Sequence, residues 1–417
     1  MRQAAVSSEG GLSEAAPRVV SEVPAITRVE AARLAVSTGM AAGFVVLAYA
    51  LHAQGGSGAS ASLSLLIGVL LGVVFERGRF CFFCILRDLI EQRSSGGAYA
   101  ILTALAVGSV GYALVFGQFQ PNPMSGRLPP DAHIGPASWV ALAAGGVFGL
   151  GMALSGACLS GHLYRLGQGY SRAPLAILGS LVGFGLGFLS WQRVYMDTLI
   201  DAPKAWLPVA LGYGGALALQ LTLLTIVALA LLRFAPTLKP NAASRVTLLH
   251  VYDTVFRQRW NPLLTGALVG AIGVAAYFRL EPLGVTSQFS SLTRTFMANQ
   301  GWLTDRLNGL DGFAGCAAVV TQTITDNGWL VMGLVGGSLA VSFIVRGFRW
   351  SRLTLRGAVT ALLGGVAMGW GAMLALGCTV GTLLSGISAF AVSGWLFAGG
   401  VFIGVWLGIR LGLHRLE

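Results

Sequence analysis

Three cysteines, Cys81, Cys158 and Cys378, are the residues on which chemistry can be built, and two of them come in a repeated frame. The stretch 149–167, GLGMALSGACLSGHLYRLG, is answered by 369–386, GWGAMLALGCTVGTLLSG. Gly149, Gly151, Cys158, Gly161 and Leu163 recur 220 positions later as Gly369, Gly371, Cys378, Gly381 and Leu383. Each cysteine also has a glycine close before it, Gly156 and Gly377. Cys81 lies in GRFCFFCILRD, 78–88, which aligns by position with GVTSQFSSLTR, 284–294, and so stands over Ser287, with Cys84 over Ser290.

A thiol in an apolar wall is expected as neutral S–H at neutral pH. It donates a weak hydrogen bond from a large, polarizable atom. That suits a sulfur-bearing anion better than a hard, strongly hydrated one. Helix N-termini opening at the glycine-rich breaks would add N–H donors and a positive dipole end. Arg79, Arg87, Asp88 and Arg165 sit where charge is costly and often functional, although Arg87 and Asp88 equally suit a helix end. The expected substrate-binding and conduit residues are Cys81, Cys158, Cys378, Gly156, Gly161, Gly377, Gly381, Arg79 and Ser287. Cys158 and Cys378 are expected about the membrane midplane with Cys81 nearby.

Competing readings attach to the same residues. A buried cysteine is often only a small hydrophobe; His162 reads as a hydrogen-bonded structural histidine, against an anion contact or proton shuttle, and Tyr164 and Trp370 read by default as packing residues. Cys81-Phe82-Phe83-Cys84 has the spacing of redox and metal sites, which leaves open a thiol or persulfide relay through Cys81 and Cys84, or a soft-metal or selenium-species transporter. Cys316 has no repeat partner. The sequence holds no nucleotide fingerprint, His-rich metal motif or nucleophile elbow, so no catalytic residue, metal or cofactor is expected.

The elements that must position these residues are membrane helices. Of 417 residues, 55% are hydrophobic and only 10% charged, and the mean hydropathy is +0.73, outside the soluble globular range. The net charge of +11 comes from 27 Lys and Arg against 16 Asp and Glu, but the basic residues cluster between apolar segments, as in cytoplasmic loops. Nucleic acid is therefore not the expected partner. With spans of about 20 apolar residues, ten crossings fall near 36–53, 62–90, 97–117, 138–166, 173–191, 207–233, 262–294, 329–345, 357–386 and 389–410. The first is read as a retained span, although Ala48-Tyr49-Ala50 resembles a signal-peptidase site. Residues 1–30 read as a disordered cytoplasmic tail and 411–417 as a second one, with a single transporter domain over 31–410. The basic clusters place both termini in the cytoplasm.

Four segments, 62–90, 138–166, 262–294 and 357–386, are too long for one straight span and carry Gly, Cys or charge near their middles. They read as broken helices, tolerated in a membrane where they line a cavity or are buried in protein. Residues 62–191 hold four segments, 207–233 a connector and 262–410 four more in the same order. An odd connector starts the second set from the opposite face. The fold class expected is an all-α polytopic membrane protein built as an inverted repeat, with the site between its halves.

At these residues the chain resembles the YeeE/YedE family of sulfur-compound transporters, which includes bacterial thiosulfate uptake proteins. The resemblance rests on GRFCFFCILRD, SGACLSGHLYRLGQG, EPLGVTSQFS and LALGCTVGTLLSG, in that order, and runs over about 62–410. It implies a bacterial inner-membrane permease with an hourglass-shaped conduit, in which Cys81, Cys158 and Cys378 pass thiosulfate or a related sulfur-containing anion along by S–H hydrogen bonds. Its expected partners are that anion, the surrounding membrane lipid and a cytoplasmic sulfurtransferase as receiver. Cys84 and the 297–328 insert depart from the family pattern.

Overall fold

A computed structural model describes residues 28–234, 258–304, 307–310, 320–345 and 347–415. Tail residues 1–27 and Cys316 lie outside the described residues. Among those described there are no strands, only an isolated antiparallel bridge between Trp206 and Ala391. Ten helical segments are long and apolar enough to cross a membrane, and they coincide with the ten expected. The chain is a multi-pass membrane protein.

Helix α1 is Arg28–Ala53, starting within the stretch read as tail. The first set then runs α2 (Ser57–Gly78), α3 (Phe82–Glu91), α4 (Gly96–Phe119), α5 (Trp139–Ser155), α6 (Leu159–Gly167) and α7 (Ala173–Val194). Helix α8 (Leu207–Leu231) connects it to α9 (Pro262–Arg279), α10 (Ser287–Asn299), α11 (Asp326–Ile344), α12 (Leu355–Leu374), α13 (Thr379–Ser388) and α14 (Val392–Arg410). All four long segments are interrupted, between α2 and α3, α5 and α6, α9 and α10, and α12 and α13. Most of α13, Thr379–Ser385, is wound as a wider π-helix.

Packing follows one scheme in both sets. Helix α2 packs on α11 and α9 on α4; α5 packs on α14 and α12 on α7; α3 touches α14 and α10 touches α7. Helices α5 and α12 pack on each other. Exchanging α2–α7 with α9–α14 in chain order returns the same set of neighbours.

Lipid tails are as apolar as leucine, so close backbone approach takes over from hydrophobic burial in holding these pairs. Gly145 and Gly149 of α5 meet Gly400 and Gly404 of α14. A Cβ on Gly149 would stand 2.5 Å from the Val401 carbonyl oxygen and 2.9 Å from the Val405 nitrogen. The connector α8 is tied in by polar bonds: Gln220 Nε2 donates to the Ile387 carbonyl at 2.8 Å and also to Ser109 Oγ. Trp206, just before α8, donates from Nε1 to the Ala389 carbonyl at 2.9 Å.

Candidate functional site

Each of the three cysteines is the N-cap residue of a short helix that restarts after a break. Cys81 caps α3 with φ −130° and ψ 118°, Cys158 caps α6 with φ −76° and ψ 170°, and Cys378 caps α13 with φ −102° and ψ −168°. An N-cap has extended backbone and stands before N–H groups that have no partner within the helix. The three thiols thus lie at the positive ends of half-helices. All three are fully buried.

What stops the preceding helix is local. Helix α5 ends at Gly156, whose φ of 83° is the left-handed value a helix C-cap takes and glycine adopts freely. Helix α2 ends at Arg79, which holds the same conformation at φ 50° despite its side chain, a conformation that is costly outside glycine. Helix α12 closes into Leu376, again left-handed at φ 57°, with Gly377 after it.

The breaks bring two sulfurs together. Cys81 Sγ lies 3.7 Å from Cys158 Sγ. Cys158 Sγ in turn accepts from the Gly161 N–H at 3.3 Å and lies 3.3 Å from Ser160 Oγ. Gly161 is required by space: a Cβ there would stand 2.8 Å from Cys81 Sγ and 3.3 Å from Cys158 Sγ. Arg165, one turn further along α6, spans the break, its Nη1 donating to the Gly156 carbonyl at 3.0 Å and its Nη2 to Cys84 Sγ at 3.0 Å.

Cys378 stands in different surroundings. Its sulfur makes no hydrogen bond among the described residues, while its carbonyl accepts from Thr382 N at 2.8 Å. A Cβ on Gly377 would stand 2.5 Å from Thr382 Oγ1 and 3.1 Å from His133 Cε1. Gly381 is buried within the π-helical turn, its carbonyl accepting from Gly386 N. Ser287 is half-buried at the first turn of α10, and it is Thr286 that takes the N-cap position there. Arg79 lines a cavity of about 230 Å³ together with Cys84, Arg87 and Arg165.

Two neighbours of the site carry weak sequence signals. His133, in the loop between α4 and α5, is 5% exposed and seated against Gly377. Burial pushes its imidazole down to about 4. The apolar residues Ala132 and Ile134 on either side were the available hint that this loop turns inward. His162 is fully buried and neither ring nitrogen has a partner among the described residues. Trp370 donates to Ser190 Oγ at 3.2 Å, and the Tyr164 carbonyl accepts from Ser338 Oγ at 2.7 Å, both consistent with packing roles.

Comparison with known proteins places this geometry. The model of a family described as sulphur transport matches residues 77–407. The chain belongs to that family. It is 28% identical over 354 residues to the thiosulfate transporter TsuA of Escherichia coli (strain K12), covering 82% of this chain and 92% of that protein. It is 26% identical over 372 residues to the thiosulfate transporter TsuA of Spirochaeta thermophila, covering 82% and 96%. A shorter match, 35% over 178 residues, relates it to the probable transporter YedE of Salmonella typhimurium, covering 39% and 41%. The matched span runs from Arg77, beside the first break, to Leu407 in α14, so it holds all three capping cysteines. Members of this family and these relatives are transporters, not enzymes.

Proposed function

We propose that this chain takes up thiosulfate, or a closely related sulfur-containing anion, across a bacterial inner membrane, and that Cys81, Cys158 and Cys378 receive it through S–H hydrogen bonds. The observation that carries the reading is the shared position of the three thiols, each the cap of a half-helix that begins inside a membrane segment. There the anion meets a positive dipole end and a soft donor together. The relatives over most of the chain are thiosulfate transporters, which supports the substrate class.

In this reading Gly156 and Leu376 turn the chain into their breaks, Gly161 leaves room for the Cys81 sulfur and Gly377 for Thr382, Gly381 lies in the first turn after Cys378, and Arg79 and Ser287 flank the path. The exchange of packing partners between α2–α7 and α9–α14 supports an inverted repeat with the conduit between its halves. The basic loops support a topology with Arg79 and both termini on the cytoplasmic side.

Uptake of labelled thiosulfate by cells lacking other sulfur permeases tests the proposal. Cys158→Ala and Cys378→Ala are each expected to abolish uptake while leaving protein in the membrane. Undiminished uptake in both sinks the thiol mechanism, and a persulfide adduct on the intact protein after turnover favours the relay through Cys81 and Cys84.

A further inference from the structure

The cavity beside Cys84 has a composition that the path through Cys81, Cys158 and Cys378 does not require. Four arginines line it, Arg79, Arg87, Arg165 and Arg259, against one carboxylate, Asp88. Asp88 is already engaged, since Arg87 Nη2 donates to it at 2.9 Å. Arg79 has no side-chain hydrogen bond or ion pair among the described residues and is exposed. The lining therefore carries three more guanidinium groups than carboxylates around a space of about 230 Å³. That is below the roughly 300–1,000 Å³ of pockets for drug-sized ligands, and it suits a small hydrated ion.

The wall also holds a sulfur. Cys84 stands three residues after Cys81 on α3, the spacing that puts two side chains on one helix face. Its thiol accepts from Arg165 Nη2 at 3.0 Å, and Cys81 is the residue whose sulfur lies against Cys158. One helix turn thus joins the cysteine pair to the arginine-lined space. Guanidinium forks match the oxygens of tetrahedral oxyanions, and a thiol is the complement of a soft terminal sulfur.

We infer that this cavity is a second anion site, separate from the Cys81–Cys158 contact, which holds a small divalent sulfur oxyanion with its oxygens toward Arg79 and Arg259 and its sulfur toward Cys84. The choice of a sulfur oxyanion over other tetrahedral dianions rests on the transport function proposed above; the charge and size argument does not. Cys84 is then the residue through which the site prefers thiosulfate to sulfate.

The test measures alkylation of Cys84 in the full-length protein in detergent by peptide-resolved mass spectrometry. Rates are normalised to a free thiol in the same solution, which corrects for reagent consumed by thiosulfate. Thiosulfate is expected to slow Cys84 labelling at least tenfold, in wild type and in Cys158→Ala alike, with sulfate needing a higher concentration. The double variant Arg79→Gln, Arg259→Gln should raise the half-protecting concentration at least tenfold, and Arg79→Lys should retain part of the protection by keeping the charge.

Unchanged Cys84 labelling with thiosulfate overturns the site, as does protection that survives the double variant. Thiosulfate uptake in vesicles by the same wild-type protein separates the two readings. Uptake without Cys84 protection removes the second site and leaves the transport function standing. Protection by sulfate and thiosulfate alike, without uptake, keeps the anion site and removes both the sulfur preference and the proposed transport.

Discussion

A methyl group on Gly161 would stand 2.8 Å from the sulfur of Cys81, in the space that lets Cys81 and Cys158 lie 3.7 Å apart. Real Cβ atoms do not come that close, and Cys158 Sγ and the Ala157 Cβ hem the position in at 3.3 and 3.1 Å. Gly161→Ala therefore displaces the Cys81 thiol. Overpacking of this kind costs about 1–3 kcal/mol, which a multi-pass protein survives. Thiosulfate uptake is expected to fall at least tenfold in Gly161→Ala at near-normal abundance, and unchanged uptake would show that the sulfur contact does not matter.

The same contact predicts a redox trap. A disulfide needs sulfurs about 2.05 Å apart, so a shift of under 2 Å from the present 3.7 Å closes the Cys81–Cys158 bond. Mild oxidation should remove these two thiols together, seen as a linked peptide pair, and stop uptake until a reductant is added. Cys378 should keep its thiol. Linkage of Cys378 to either partner in preference would place the sulfurs in a different order along the path.

Much of this was legible in the sequence. The ten spans follow from hydropathy, and the four breaks from segments too long for one crossing with glycine, cysteine or charge in the middle. The 220-residue repetition around Cys158 and Cys378 marked two of the capping positions. Which sulfurs touch was not legible, because contact depends on how α3 and α6 cross, and the local strings around Cys81 and Cys158 say nothing about that. The sequence expectation puts Cys158 and Cys378 about the midplane with Cys81 nearby; that Cys81 and Cys158 touch is visible only in the fold. His133 has little sequence signal, because a lone histidine in a Pro- and Gly-rich loop carries no period. Arg165 reads in the sequence as a costly charge, but its two partners, Gly156 and Cys84, come from different segments of the chain.

His133 gives the protein a pH-dependent stability of stated sign. Burial against Gly377 pushes its imidazole down to about 4 from an ordinary 6.5. The folded protein keeps it neutral, while the unfolded chain takes up a proton below pH 6.5. The stability it contributes is complete above 6.5 and is lost as pH falls from there toward 4, by roughly 3 kcal/mol over the whole window at about 1.4 kcal/mol per unit. Thermal unfolding in detergent should show the wild type losing Tm between pH 7.5 and 5 more steeply than His133→Gln. Parallel profiles would mean that His133 is not the group titrating.

Arg165 offers the sharpest distinction between charge and shape. Its fork reaches the Gly156 carbonyl with one nitrogen and the Cys84 sulfur with the other, both at 3.0 Å, so one planar group pins the C-cap of α5 to the face of α3. A lysine keeps the charge but offers a single ammonium on a flexible stem, without the rigid spread that serves two acceptors at once. Arg165→Lys should therefore leave the Gly156 carbonyl or the Cys84 thiol without its partner, at a cost of about 1–3 kcal/mol, and lower the Tm by several degrees. Uptake should fall further than the loss of folded protein accounts for, because the Cys81–Cys158 spacing depends on the two breaks staying in register. If instead Arg165→Lys transports as well as wild type at equal abundance, the residue serves the path as a charge alone, and the pinning of α5 to α3 has no part in transport.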